Sequence, residues 1–171
     1  MEDHVGRLRV LWSRELPEVD TAGMAILGRA RRITQLVRPP IERVFAEHGL
    51  DSGEFDVLAS LLRSGRPWRL RPTELFTALM ISSGGLTDRL ARLERRGLVR
   101  RLPSDRDARS LLVELTDTGR ELVEAAFRAD MAVERELLAG LDATEQAVLA
   151  ALLAKLARTL DQDPAHGAAH S

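Results

Sequence analysis

The chain has 171 residues, 44% of them hydrophobic and 30% charged, with a formal net charge of −1 and no cysteine. That length can bury one core, or a core with an appendage, and the missing thiols exclude disulfides, thiolate zinc sites and thiol-based redox sensing. No run of eighteen apolar residues and no leader pattern occur, which predicts a cytoplasmic protein with no membrane contact, and the scattered His4, His48, His166 and His170 give no metal-ligand spacing.

Taken in order, Val5, Leu8, Leu11 and Trp12 share a helical face, so a short first helix is predicted to end before Pro17. Asp20 or Thr21 then caps a second helix with Met24, Leu27, Ile33, Leu36 and Val37 on one face. Pro39-Pro40 interrupts that pattern. A proline removes a backbone donor and clashes one turn back, which predicts a kink or a break before the helix resumes through Ile41, Val44 and Phe45 to Gly49. Asp51 and Glu54 have the spacing of a capping pair and open a helix with Phe55, Leu58, Leu61 and Leu62 inward, ending near Gly65. The connection that follows carries Arg63, Arg66, Arg69 and Arg71 with no acid, and Trp68–Leu70 has the form of a short strand.

Pro72 suits the first turn of a helix, where Leu75, Leu79 and Met80 keep one apolar face. Ser82 can cap the next helix, with Leu86, Leu90 and Leu93 at helical spacing, Gly97 as its left-handed stop and Leu98 as the apolar residue that follows. Thr87, Asp88, Arg89, Arg92, Arg95 and Arg96 point away from the leucines. Leu98–Leu102 and Ser110–Leu115 read as two strands joined by a turn-rich tip holding Arg106 and Arg109. From Arg89 to Arg109 there are eight arginines against three acids (Glu94, Asp105, Asp107), a local surplus of five positive charges in a chain that is otherwise acidic. Helix, turn, basic helix and basic hairpin in that order predict a winged helix-turn-helix that binds double-stranded DNA. The plain alternative is a solvated basic face, and the arginines before Pro72 suit either reading equally.

Thr116 caps a long helix with Leu122, Val123, Ala126, Phe127, Leu137 and Leu138, and Asp142 with Glu145 opens the last one, with Val148, Leu149, Leu152, Leu153, Leu156 and Leu160. Between 117 and 163 ten acids face five bases. Two long amphipathic helices beyond the lobe's own core need something to pack on. A homodimer is the expectation; a monomeric bundle closed on the N-terminal helices is the alternative. The fold class is therefore mainly α with a small β-hairpin wing. Residues 1–50 hold the N-terminal helices, 51–116 the DNA-binding lobe, 117–163 the C-terminal dimerisation helices and 164–171 a disordered tail. No glycine-rich phosphate loop, nucleophile elbow or metal cluster is present, so no enzyme, no catalytic residue, no metal and no cofactor are expected. The competing class is a winged-helix protein-interaction module without ligand response.

The segments HGLDSGEFDVLASL, PTELFTAL, SSGGLTDRLARLERRGLVRR and SDRDARSLLVELTDTG together resemble the MarR (multiple antibiotic resistance regulator) family of winged-helix transcription factors, over about Met24 to Leu160. The resemblance implies a symmetric dimer, a repressor in type, on a pseudo-palindromic operator that a small-molecule effector releases. It places the Ser82–Arg96 helix in the major groove, with Ser82 as its cap and Ser83, Thr87 and Arg92 facing DNA. In the wing, beside Arg106, it implies that Arg109 enters the minor groove, held by Asp107, with Ala108 departing from the common second arginine. Arg71 replaces the Ser or Thr usual before Pro72, so that helix cap is expected to be weaker. The first helix with its Trp and the ELPEVD segment resembles the urate-responsive subgroup. That likeness implies a ligand set of Trp12, Asp56, Arg89 and Arg101 around a urate-like anion. Guanidinium forks, a carboxylate and an aromatic wall suit such a purine. An ordinary Asp56–Arg salt bridge under a packed Trp12 is the alternative.

Overall fold

A computed structural model describes residues 2–79, 85–104 and 107–162, with the backbone alone at 104 and 107–110. Ser82, Ser83, Arg106, the side chains of Asp107 and Arg109, and the 164–171 tail lie outside the described residues. The chain forms two compact units, Met1–Met131 and Ala132–Ser171.

In the first unit, Asp3 caps helix α1 (His4–Glu15) by accepting from the Gly6 N–H at 2.7 Å, and the helix stops before Pro17 as predicted. The same carboxylate takes two hydrogen bonds from Arg29, at 2.8 and 2.9 Å. Asp20 accepts from the Ala22 N–H, and the chain passes through a π-helical turn, Met24–Gly28, into helix α2 (Arg29–Glu47). Gly28 leaves room there for Val5 of α1: an added Cβ would lie 3.2 Å from Val5 Cγ1.

Pro39 and Pro40 do not break α2, which is helical on both sides of them. Two prolines cost the carbonyls of Gln35 and Leu36 their donors one turn back, and both residues are exposed, so water can serve instead. The helix ends in a Schellman motif: Gly49 sits at φ 67°, its N–H reaches the Ala46 carbonyl, and Leu50 N–H reaches Phe45. Asp51 and Glu54 form the full capping box of helix α3 (Ser52–Arg63).

Strand β1 (Arg69–Leu70) leads to helix α4 (Pro72–Ala78), where Glu74 accepts from Arg71 N–H but Arg71 itself caps nothing. Helix α5 (Leu86–Arg95) starts after Gly85, at φ 74°, and stops on a second Schellman motif, Leu98 N–H to Leu93 and Gly97 N–H to Glu94. Strands β2 (Val99–Ser104) and β3 (Asp107–Leu115) complete an antiparallel sheet of order β1-β3-β2. The hairpin is longer than its predicted strands. β2 runs on through Pro103 because it is an edge strand, where a missing N–H is tolerated, and a register shift follows at Pro103/Ser104. Leu58 and Leu61 of α3, Leu75, Leu93, Val99 and Val113 are fully buried and form the lobe's core. Burying side chains of this size stabilises by roughly 1.5–3 kcal/mol each.

Thr116 accepts from Gly119 N–H at the start of helix α6 (Asp117–Leu137). In the second unit, Asp142 and Glu145 form the capping box of helix α7 (Ala143–Asp161). Val148, Leu149, Leu152, Leu153 and Leu160 of α7 are exposed there, and in the first unit so are Ile26, Leu27, Ile33 and Leu36.

Candidate nucleic-acid interface

Three leucine-type contacts fix α5 on its lobe: Leu90 and Leu93 are buried and Leu86 is half-buried. That choice of inner face decides where every other side chain goes. Thr87, Asp88 and Arg95 come out on the exposed side, with Ala91 half-buried among them. The flank between is occupied. Arg92 Nε donates to Glu54 Oε1 at 2.8 Å and its Nη2 to Asp51 Oδ2 at 2.8 Å, while Arg96 Nη1 reaches Glu54 Oε2 at 3.3 Å. The Glu54 hydrogen bond, foremost, raises Arg92 above the ordinary guanidinium value. Arg92, expected to face DNA, is therefore turned to the first turn of α3. The reason is a buried carboxylate, Glu54, that needs a cation.

The wing is braced at its base. Glu114 is buried on β3 and takes hydrogen bonds from Arg69 of β1 and Arg100 of β2, the latter's Nε at 3.0 Å. Arg66 lies 4.9 Å above the Trp68 ring, and Arg63 donates to the Ala78 carbonyl that ends α4 and to Ser60 Oγ at 2.8 Å. The basic connection before α4 is thus largely spent on holding the lobe together.

Beside α5 a cavity of about 700 Å³ opens between α2, α3 and α5. Asp56 and Arg89 both line it. Its apolar wall is Ile41 with Phe45 and Phe55, whose rings stack at 4.0 Å between centroids. Asp56 is buried and has Arg63 Nη2 at 3.6 Å. The other two residues of the expected ligand set are not on this wall. Trp12 is half exposed on α1, which is fastened to the start of α2 through Val5 and Asp3. The cavity lies a dozen residues further along that helix, roughly 18 Å away at 1.5 Å per residue. Arg101 pairs with Glu94 at 3.3 Å. In the sequence Phe45 and Phe55 read only as core residues; apolar periodicity does not separate a core wall from a cavity wall.

The family model described as MarR family matches residues 48–110, the span that holds α3, α4, α5, β2 and the first residues of β3. The transcriptional regulator PecS of Dickeya dadantii (strain 3937) is 36% identical over 87% of this chain and 90% of its own length. This chain belongs to the MarR family. Two solved members of the MarR family share its fold in complexes with DNA. One is Sco3205 of Streptomyces coelicolor, with a TM-score of 0.71, 27% identity and coverage of 86% of this chain and 93% of that one. The other is a cysteine-to-serine mutant of Escherichia coli MarR with operator DNA, at 0.67, 29%, 85% and 97%. The small three-stranded antiparallel sheet on a mostly helical frame in this MarR-family chain matches the winged helix-turn-helix fold of those structures.

Proposed function

We propose that the chain is a homodimeric, sequence-specific DNA-binding transcriptional regulator, repressor in type, that leaves a pseudo-palindromic operator when a small anion of urate-like chemistry occupies the cavity beside α5. The observation that carries the DNA part is the outer side of α5, where Thr87, Asp88 and Arg95 stand clear of the core next to a basic hairpin. Two relatives of the same fold are seen in complex with DNA. Thr87 is assigned to the groove, Ser82 and Ser83 to the approach of α5, and Arg106 and Arg109 of the wing to backbone and minor groove, with Asp107 orienting Arg109. The exposed leucines of α7 and the exposed apolar side chains before Pro39 supply the surfaces for a second copy.

The effector part rests on Asp56 and Arg89 at one cavity with a stacked aromatic pair. A carboxylate for a ring N–H and a guanidinium for a ring oxygen suit a flat anion. Arg89 belongs to α5, so a ligand that draws on it acts on the helix that meets DNA; coupling of about 1–3 kcal/mol is typical of such links.

Two measurements test this. In fluorescence anisotropy with operator duplex, Arg109→Ala is expected to weaken binding and lower the salt slope by about one; identical curves at every salt concentration would remove the wing assignment. Calorimetry with urate is expected to give heat on wild type and much less on Asp56→Asn. Absence of heat from urate and related anions on wild type would end the effector proposal and leave the DNA proposal standing.

A further inference from the structure

Helix α5 and its C-cap carry four arginines, and the packing divides them. Arg89, Arg92 and Arg96 fall at i, i+3 and i+7, which is one flank. All three meet the first turn of α3. Arg92 and Arg96 share Glu54, Arg92 also holds Asp51, and the Arg89 guanidinium lies over Gly53, where an added Cβ would come within 2.2 Å of Nε. Arg95 lies on the side away from Leu90 and Leu93, is exposed, and among the described residues donates its Nε to the Ala91 carbonyl of its own helix at 3.3 Å.

Glu54 makes this arrangement hard to undo. It is 5% exposed, accepts from the Asp51 N–H at 3.2 Å, and faces both guanidiniums at once. A DNA phosphate that took Arg92 would strip a buried carboxylate of the nearer of its two cations, leaving only the 3.3 Å contact from Arg96, and burial makes that loss costly. What it would gain is a surface contact that salt screens. The internal pair wins that competition.

We infer that Glu54 and Asp51 withhold Arg92 and Arg96 from DNA and use them to fix the pitch of α5, so that Arg95 is the arginine of this helix that meets the phosphate backbone. Arg92 and Arg96 are positioning residues. The side left for base edges is Thr87, Asp88 and Ala91: a hydroxyl, a carboxylate that can accept from a cytosine amino group, and methyl groups that can pack on thymine. Holding surplus guanidiniums on internal carboxylates also limits sequence-blind attraction to DNA. This inference rests on the DNA-binding proposal above.

The test is anisotropy over a potassium chloride series, with operator duplex and a scrambled duplex, on wild type, Arg95→Ala, Arg92→Ala, Arg92→Lys and Glu54→Gln. Arg95→Ala is expected to lower the slope by about one on both duplexes. Arg92→Ala is expected to cut operator affinity roughly 2- to 30-fold with the slope unchanged, and Arg92→Lys, which keeps a cation beside Glu54, to restore most of it. Glu54→Gln is expected to bind the scrambled duplex more tightly, its slope steeper by about one or two as guanidiniums are released. A slope that falls by about one in Arg92→Ala, or stays at the wild-type value in Arg95→Ala, overturns the inference. Arg95 is exposed, so its variant decides the matter even if Arg92→Ala unfolds. Wild type that binds no duplex at low salt would instead refute the DNA-binding proposal itself.

Discussion

Gly53 and Gly119 do comparable jobs with opposite tolerance. At Gly53 a Cβ would meet Arg89 at 2.2 Å from Nε and 2.6 Å from Cζ, the far end of a flexible side chain. Gly53→Ala is therefore expected to fold, with stability changed by no more than about 1 kcal/mol because alanine favours the helix, while displaced Arg89 weakens urate binding in calorimetry. At Gly119 a Cβ would lie 2.1 Å from the Leu98 carbonyl oxygen, which is backbone and cannot step aside. Gly119→Ala is expected to cost about 1–3 kcal/mol or more, a fall of roughly 3–10 °C in thermal unfolding. A wild-type melting temperature for that variant would show that α6 can shift away from Leu98. Neither role was legible in the sequence. Gly49 and Gly97 were, because each follows a run of helical periodicity that has to stop. Gly53 and Gly119 matter through contacts with segments far along the chain, and no local pattern marks those.

At the scale of elements, the caps and stops were readable because they are local: Asp51 with Glu54, Asp142 with Glu145, Thr116, and the Schellman glycines all sit where spacing put them. Whether Pro39-Pro40 kinks or breaks α2 was not, since it depends on whether water can reach the orphaned carbonyls. The α5 arginines merge into one basic face in the sequence for a similar reason. Direction around a helix follows from its leucines, but whether a flank is open depends on what α3 brings against it. Fastening of α1 gives a prediction in pH. Arg29 hydrogen bonds, foremost, and the Gly6 N–H hold the Asp3 carboxyl below its ordinary 3.8. A lowered folded-state value contributes stability above the ordinary value and loses it as pH falls through and below it. Hydrogen exchange is expected to show α1 amides protected at about pH 5 and less so at about pH 3, with Asp3→Asn weakly protected at both. Equal protection of wild type at the two pH values would mean that Val5 packing on Gly28, and not the ion pair, holds α1.

The whole molecule separates its charge and its apolar surface along the chain: arginines gather from α5 to the wing, acids from α6 onward. In the second unit Leu152 is 59% exposed and Val148 54%. A monomer in water seldom leaves such a row uncovered, and a two-fold partner would bury it while presenting two winged lobes to successive half-sites. Leu152→Asp is expected to shift sedimentation toward the single chain and to weaken operator binding with it. An unchanged sedimentation coefficient would place the partner surface elsewhere. Operator binding by a dimer is decided by titrating the protein against duplex from the intergenic region upstream of its own gene, over a salt series, with stoichiometry read by sedimentation. Saturable binding of two chains per site is expected, with log K falling linearly against log salt. Binding by one chain per site, or no saturable binding at low salt, would contradict it.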